Sequence, residues 1–258
     1  MTRWNSQFSN KIFALSLLTC WLTGRAAFAS FDFSPIIANL APSGAGATAS
    51  FVVNNYGDNK IPVQVTIVAR DPDLFGKEDY KETDKVSEMF RIFPDQVVLN
   101  PKETRTIRIT YIGSPKVSSE LPFRIIAEEL PVDVDDPKKV YKKAVARISI
   151  ATKYIGSLYV TPAGSKPEVA IEVKQSAESA KKMILTIKNK GSLHQVIRKP
   201  VLKLQSLTGG KEVVLENTEL KDLLNQNVLA GKERKFNLDW PKSLPAGPVK
   251  ATLDLAKE

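Results

Sequence analysis

The segment Thr106-Ile107-Arg108-Ile109-Thr110-Tyr111 alternates polar and apolar residues without a break. A period of two puts Ile107, Ile109 and Tyr111 on one face of a strand, a pattern that a helix scatters around its axis. The same habit governs the stretch from residue 90 to 162. Phe90-Arg91-Ile92-Phe93 opens it, and Gln96-Val97-Val98-Leu99 follows, joined to the alternating segment by an Asn100-Pro101 turn that predicts a strand pair. An apolar run from Leu121 to Ala127 then ends in Glu128-Glu129 and Pro131. A charged spacer, residues 131–143, leads to a second alternating segment that closes at Thr161-Pro162.

Strand patterns extend on both sides. Phe51-Val52-Val53 and Val63-Gln64-Val65-Thr66-Ile67 flank Asn54-Asn55-Tyr56-Gly57-Asp58, a turn-rich cluster that reads as a hairpin connection. Pro94, Pro101, Pro122 and Pro131 fall at strand edges, where a missing N–H is tolerated. Residues 161–167, Thr-Pro-Ala-Gly-Ser-Lys-Pro, have the composition of a domain linker, after which the pattern restarts. Val169, Ile171 and Val173 share a face, as do Met183, Leu185 and Ile187, and Ala251, Leu253 and Leu255 near the end. Leu202-Lys203-Leu204-Gln205 runs toward Gly209-Gly210, a hairpin turn where glycine supplies positive φ. Residues 176–183 are helical in composition, but strands lie on both sides, so a polar strand connection is expected. Many short strands at this spacing, twice over, predict an all-β chain of two antiparallel sandwiches of about 100 residues each. The expected division is 1–29, 30–161 and 162–258.

Residues 1–29 read as a signal peptide. Arg3 and Lys11 make a basic start, Ile12 to Leu22 is apolar, and Ala27-Phe28-Ala29 supplies a small-x-small cleavage pattern. A lipoprotein site at Cys20 is the alternative, disfavoured by Thr19 before it. The apolar run is too short for a stable membrane anchor, so the mature chain is expected to be exported. Cys20 is the only cysteine, which leaves the mature chain without a disulfide, a thiol nucleophile or a thiolate ligand. The net charge of +9 falls to +6 once Arg3, Lys11 and Arg25 are removed. Lys and Arg are interleaved with Asp and Glu, which describes solvated strand faces better than a nucleic-acid surface.

Catalytic machinery is not legible. The single histidine, His194, follows a turn and lacks an evident orienting partner, so a loop or packing role is expected. One histidine cannot begin a typical zinc site. Asp133, Asp135 and Asp136 are followed at once by Lys138, Lys139, Lys142 and Lys143, a mixed-charge loop. The expectation is no enzyme, no metal and no cofactor.

Several segments resemble one family in their order and spacing. They are Phe31-Asp32-Phe33-Ser34-Pro35 with Leu40 and Pro42, Phe51-Val52-Val53-Asn54-Asn55, and residues 93–101. The fullest is Leu121-Pro122-Phe123-Arg124-Ile125-Ile126-Ala127-Glu128-Glu129-Leu130-Pro131. Asn189-Lys190-Gly191-Ser192-Leu193-His194 and Val228-Leu229-Ala230-Gly231 follow in the second half. Together they resemble the PapD-like periplasmic pilus and fimbrial chaperones, and in particular their divergent, archaic branch. The resemblance implies two immunoglobulin-like sandwiches in the periplasm. It also implies strand donation to an incomplete pilus subunit, which is later passed to an outer-membrane usher.

Under that resemblance the donor strand is residues 144–153. Ile148 and Ile150 are its main side chains, with Val145 and Thr152 as further subunit-binding positions if the register shifts. On alternation alone, the same isoleucines would face this protein's own core. Familiar members grip the subunit's C-terminal carboxylate with an Arg in the first strand and a Lys in the donor strand. Here Ser34-Pro35-Ile36-Ile37-Ala38-Asn39 has no Arg, and Lys153 is the available substitute. Thr161-Pro162 stands where the family has Arg-Pro, which puts a charged contact between the domains in question. The rival reading is an exported structural or adhesive two-domain sandwich.

Overall fold

The computed structural model describes residues 31–131 and 151–256. Nine strands build the first sandwich: β1 (Phe31–Ser34), β2 (Ile37–Leu40), β3 (Thr48–Asn55), β4 (Ile61–Ala69), β5 (Phe90–Phe93), β6 (Gln96–Leu99), β7 (Thr104–Tyr111), β8 (Leu121–Glu129) and β9 (Lys153–Val160). One sheet has the order β1-β3-β7-β5 and the other β2-β9-β8-β4-β6. All pairings are antiparallel except β2 with β9. In β7 the alternation is realised as expected: Ile107, Ile109 and Tyr111 are buried and Arg108 is exposed. These residues meet Phe51, Val53, Val63, Val65, Ile125 and Leu158 in one core. Phe90 packs edge-on against Phe123 at 4.8 Å, joining the two sheets.

Two expected strand pairs are not pairs. β6 bonds to β4, whereas β7 bonds to β3 and β5 in the opposite sheet. Likewise β3 and β4 lie in different sheets. Both turns carry the chain across the sandwich instead of folding it back on itself. Turn residues specify a reversal, but the burial available to each strand decides which sheet it joins. Asn55 ties the two crossings together. Its Nδ2 donates to the Asn59 carbonyl at 2.8 Å and the Asn100 carbonyl at 2.9 Å, and its Oδ1 accepts from the Gly57 N–H at 2.8 Å.

The second sandwich comprises β10 (Val169–Gln175), β11 (Lys182–Asn189), β12 (Gln195–Val196), β13 (Val201–Ser206), β14 (Val213–Leu215), β15 (Asn227–Val228), β16 (Glu233–Asp239) and β17 (Val249–Asp254). Sheets β10-β11-β16 and β14-β13-β17 enclose Met183, Leu185, Ile187, Leu202, Leu204 and Phe236, and β12 pairs with β15. Residues 176–181 connect β10 to β11 without a helix. The β13–β14 hairpin turns through Gly209 and Gly210, with φ of 105° and 117°. Asn189 repeats the device of Asn55. Its Nδ2 donates to the Leu193 and Val228 carbonyls, and its Oδ1 accepts from the Gly191 N–H. Among the described residues, no helix is long and apolar enough to cross a membrane.

Candidate functional site

The donor positions Val145, Ile148 and Ile150 lie outside the described residues. Thr152 and Lys153 lie within them. The Thr152 carbonyl accepts the Glu129 N–H at 3.0 Å, so pairing with β8 begins just before β9 is entered. Lys153 stands opposite Glu128 in the β8–β9 register, and its Nζ is 2.9 Å from Glu128 Oε2.

The edge of β9 changes along its length. From Ser157 to Val160 it is covered by β2, and Ile36 accepts the Ser157 N–H at 2.9 Å. From Lys153 to Gly156 it pairs only with β8 among the described residues. β2 can close on β9 at this point because residue 156 is glycine: a Cβ there would lie 2.7 Å from the Ile36 carbonyl oxygen. A strand added alongside the open part of β9 must therefore end where β2 begins, at Ser157.

A cationic cluster sits at that end. The register aligns Val68, Arg124, Ser157 and Ile37 in one row across the sheet, on the face away from the first core. Tyr159 lies two rows on, and Arg70 follows β4 on the same side, its N–H bonded to the Pro122 carbonyl. Arg124 Nη1 donates to Ser157 Oγ at 2.8 Å, and Arg70 Nη1 to the Tyr159 hydroxyl at 2.6 Å. Between the two guanidiniums lies Glu78. It accepts from Arg124 Nε at 2.6 Å, Arg124 Nη2 at 2.8 Å and Arg70 Nε at 2.9 Å. The Glu78, Arg70 and Arg124 side chains are 8%, 9% and 17% exposed. Burial pushes the Glu78 carboxyl up, but the hydrogen bonds and charges of Arg124 and Arg70 outweigh it and hold the group below its ordinary range. Arg124 shows the converse. Desolvation disfavours its charge, and the Glu78 carboxylate more than restores it.

The second sandwich closes over this face. His194 stacks on Tyr159 with ring centroids 4.3 Å apart, and Asn227 Nδ2 donates to the Tyr159 hydroxyl at 2.9 Å. Buried Glu120 accepts from His194 Nδ1 at 2.7 Å, the His194 N–H at 3.2 Å and Thr161 Oγ1 at 2.9 Å. The contact between the domains therefore persists without an Arg at position 161. A hydroxyl and an imidazole serve the carboxylate instead. The Asn189 turn delivers His194, and Gly191 lets that turn press against the linker, where a Cβ would overlap the Lys166 carbonyl. Arg234 on β16 is buried, with no carboxylate at ion-pair distance among the described residues. It donates instead to Phe75 O, Gln226 Oε1 and Asn227 O. Desolvation, with Arg70 nearby, lowers its pKa.

The sequence reading missed Arg124, Arg70 and Glu78. Arg124 left a signal, being the one charge in the apolar run from Leu121 to Ala127. Arg70 and Glu78 left none, because their meeting depends on how residues 70–83 fold back over the sheet.

Residues 40–166 match the pili and flagellar-assembly chaperone family, PapD N-terminal domain. Through these residues the first sandwich is a PapD-type chaperone domain. Solved PapD-type chaperone structures share the fold. One, described as a chaperone-tip adhesin complex of CFA/I fimbriae biogenesis, is 16% identical, with a TM-score of 0.55 and coverage of 88% of this chain and 98% of that one. The class 5 fimbriae chaperone CfaA is 13% identical, with a TM-score of 0.54 and coverage of 88% and 100%. The CsuC-CsuE pre-assembly complex of archaic Csu pili from Acinetobacter baumannii is 16% identical, with a TM-score of 0.50 and coverage of 81% and 90%. At these identities the likeness is one of fold. No curated protein matches the sequence.

Proposed function

We propose that this protein is a periplasmic chaperone that lends residues 144–153 to a secreted pilus or fimbrial subunit. Ile148 and Ile150 supply the main side chains that fill the subunit's open groove, and Val145 and Thr152 take part if the register shifts. In a continuous strand Ile148 and Ile150 lie on one face, which in the donor reading is the face turned to the subunit. Burying one such isoleucine stabilises a complex by roughly 1.5–3 kcal/mol. The added backbone pairing also covers an edge that would otherwise drive aggregation of the subunit.

The observation that carries this reading is the edge of β9 from Lys153 to Gly156, which among the described residues no strand covers and which ends at Ser157 beside Arg124. A subunit strand paired there brings its chain end to two guanidiniums, and a terminal carboxylate fits their forked donors. We assign the carboxylate seat to Arg124 and Arg70. Lys153, the cation expected from sequence, is engaged by Glu128 and lies four residues back along β9, about 13 Å at strand spacing. A seat built from β8 instead of the first strand, together with Thr161 in place of Arg, supports assignment to the divergent, archaic branch. Delivery to an outer-membrane usher and export by the signal at residues 1–29 complete the proposal.

Co-expression with the small secreted proteins encoded beside this gene, followed by size-exclusion chromatography of periplasmic extract, tests it. A one-to-one complex that protects an otherwise degraded protein is expected. A well-folded chaperone that captures none of them would overturn the reading in favour of a structural or adhesive role.

A further inference from the structure

The seat formed by Arg124 and Arg70 is already filled, and the group that fills it is carried by a loop. Residues 70–83 leave the end of β4 and reach the second sandwich without joining either sheet of the first. Asp73 knots the loop: its Oδ1 accepts from the Phe75 and Lys77 N–H groups, each at 2.9 Å. The tip docks on the second sandwich. The Leu74 carbonyl accepts the Lys235 N–H at 2.7 Å, the Phe75 carbonyl accepts from Arg234 Nη2 at 3.2 Å, and Asp71 Oδ1 meets Lys232 Nζ at 3.0 Å. Gly76 crosses directly over Arg234 at a φ of 90°, where a Cβ would overlap the guanidinium. Among the described contacts of residues 71–82, the Glu78 carboxylate supplies the hydrogen bonds that reach the first sheet.

We propose that Glu78 is a built-in stand-in for the carboxylate of a bound chain end, and that residues 70–83 are a latch opened by exchanging one carboxylate for the other. The proposal rests on the chaperone reading above and adds a regulatory step to it. Two nearly buried guanidiniums, Arg70 and Arg124, share one carboxylate, and a third, the buried Arg234, feels Asp73 and Glu78 only through space. Withdrawing Glu78 alone would leave like charges facing one another in a desolvated site, at a cost that no neutral group offsets. An incoming terminal carboxylate keeps both the charge and the forked hydrogen-bond geometry, so the exchange is nearly balanced. An amidated or internal chain segment cannot make it. The occupant is a polypeptide C-terminus, because a strand paired with β9 is stopped by β2 at the seat and, of the two chain ends, only the carboxylate end pairs with guanidiniums. Exchange also frees the loop that holds β16, so subunit capture loosens one side of the junction while Glu120 and His194 hold the other.

The apparent affinity of a latched protein is its intrinsic affinity scaled by the open fraction, so a latch closed nine times in ten hides a factor of about ten. The test compares wild type, Glu78→Gln and Asp73→Ala. The last loosens the loop from outside the seat and carries the test if Glu78→Gln folds poorly. The probes are the co-purifying subunit and a synthetic peptide of its last twelve or so residues, as free acid and as amide. The latch predicts about tenfold tighter binding of the free-acid peptide by the variants, with the amide weak throughout. It also predicts faster hydrogen exchange at the Phe75 and Lys77 amides in the complex than in the free chaperone. If wild type captures the subunit but the variants bind the free acid no more tightly, the latch is overturned and the chaperone reading stands. If neither wild type nor variants bind any subunit, both fall. Capture by the variants alone supports the latch.

Discussion

Arg124 and Ser157 are cross-strand partners on β8 and β9, and a 2.8 Å hydrogen bond joins their side chains on the face away from the first core. The bond fixes one arm of the guanidinium at the point where β2 ends the open edge of β9. The other arms face Glu78. Strand register thus turns a single charge within an apolar strand into a directed carboxylate fork.

Replacing Arg124 by Met should both destabilise the protein and weaken subunit capture. It leaves the buried Glu78 with Arg70 alone, and removing one member of a buried pair costs about 3 kcal/mol. Urea unfolding monitored by circular dichroism measures the loss. A cost below about 0.5 kcal/mol would show that Glu78 is not held by Arg124 in solution.

Glu78 also sets a pH dependence. Its folded pKa is depressed below the ordinary 4.5, so its ionised form stabilises the fold. That contribution is fully present above the unfolded pKa and is lost as pH falls through the folded value. The stability difference between wild type and Glu78→Gln should be constant above about pH 5.5 and shrink progressively below pH 4.5. A difference that grows on acidification contradicts the assignment.

At the junction, His194→Phe keeps a ring on Tyr159 but removes the bond from Nδ1 to Glu120. Together with Thr161→Val it should show coupling. Each change alone costs about 1–2 kcal/mol, and the double variant should depart from additivity by about 0.5 kcal/mol or more. Strict additivity in thermal denaturation would mean that the two groups do not share Glu120.

Gly156→Ala should force β2 away from β9, because the new Cβ meets the Ile36 carbonyl oxygen. A destabilisation of about 1–3 kcal/mol is expected, together with faster hydrogen exchange at the Ser157 amide. Unchanged protection at Ser157 would refute the close approach.

Ile148→Asp combined with Ile150→Asp should abolish subunit complexes while leaving the melting transition of the free protein in place. Wild-type yields of complex from that double variant would remove the donor role from these two residues.

Local pattern made much of the fold readable. Alternation in β7, the Gly209-Gly210 hairpin and the two Asn-x-Gly turns each act over a few residues. The pairings expected across Asn100-Pro101 and across residues 54–58 failed because both turns cross between sheets. Outer-face burial at Val68, Ile126 and Tyr159 was equally out of reach of the pattern. Alternation assigns that face to solvent, whereas at Tyr159 His194 and Asn227 of the second sandwich cover it together with Arg70.

The sequence by itself determined a tandem of sandwiches and a family likeness. Periodicity and turn chemistry are short-range properties, written in neighbouring residues. Tertiary structure alone decided the carboxylate seat. Arg70, Glu78, Arg124 and Ser157 come from separate parts of the chain, and strand register together with the docking of one loop brings their polar atoms within hydrogen-bond reach. Hydrogen bonding and desolvation act between groups in space, so no spacing along the chain announced them.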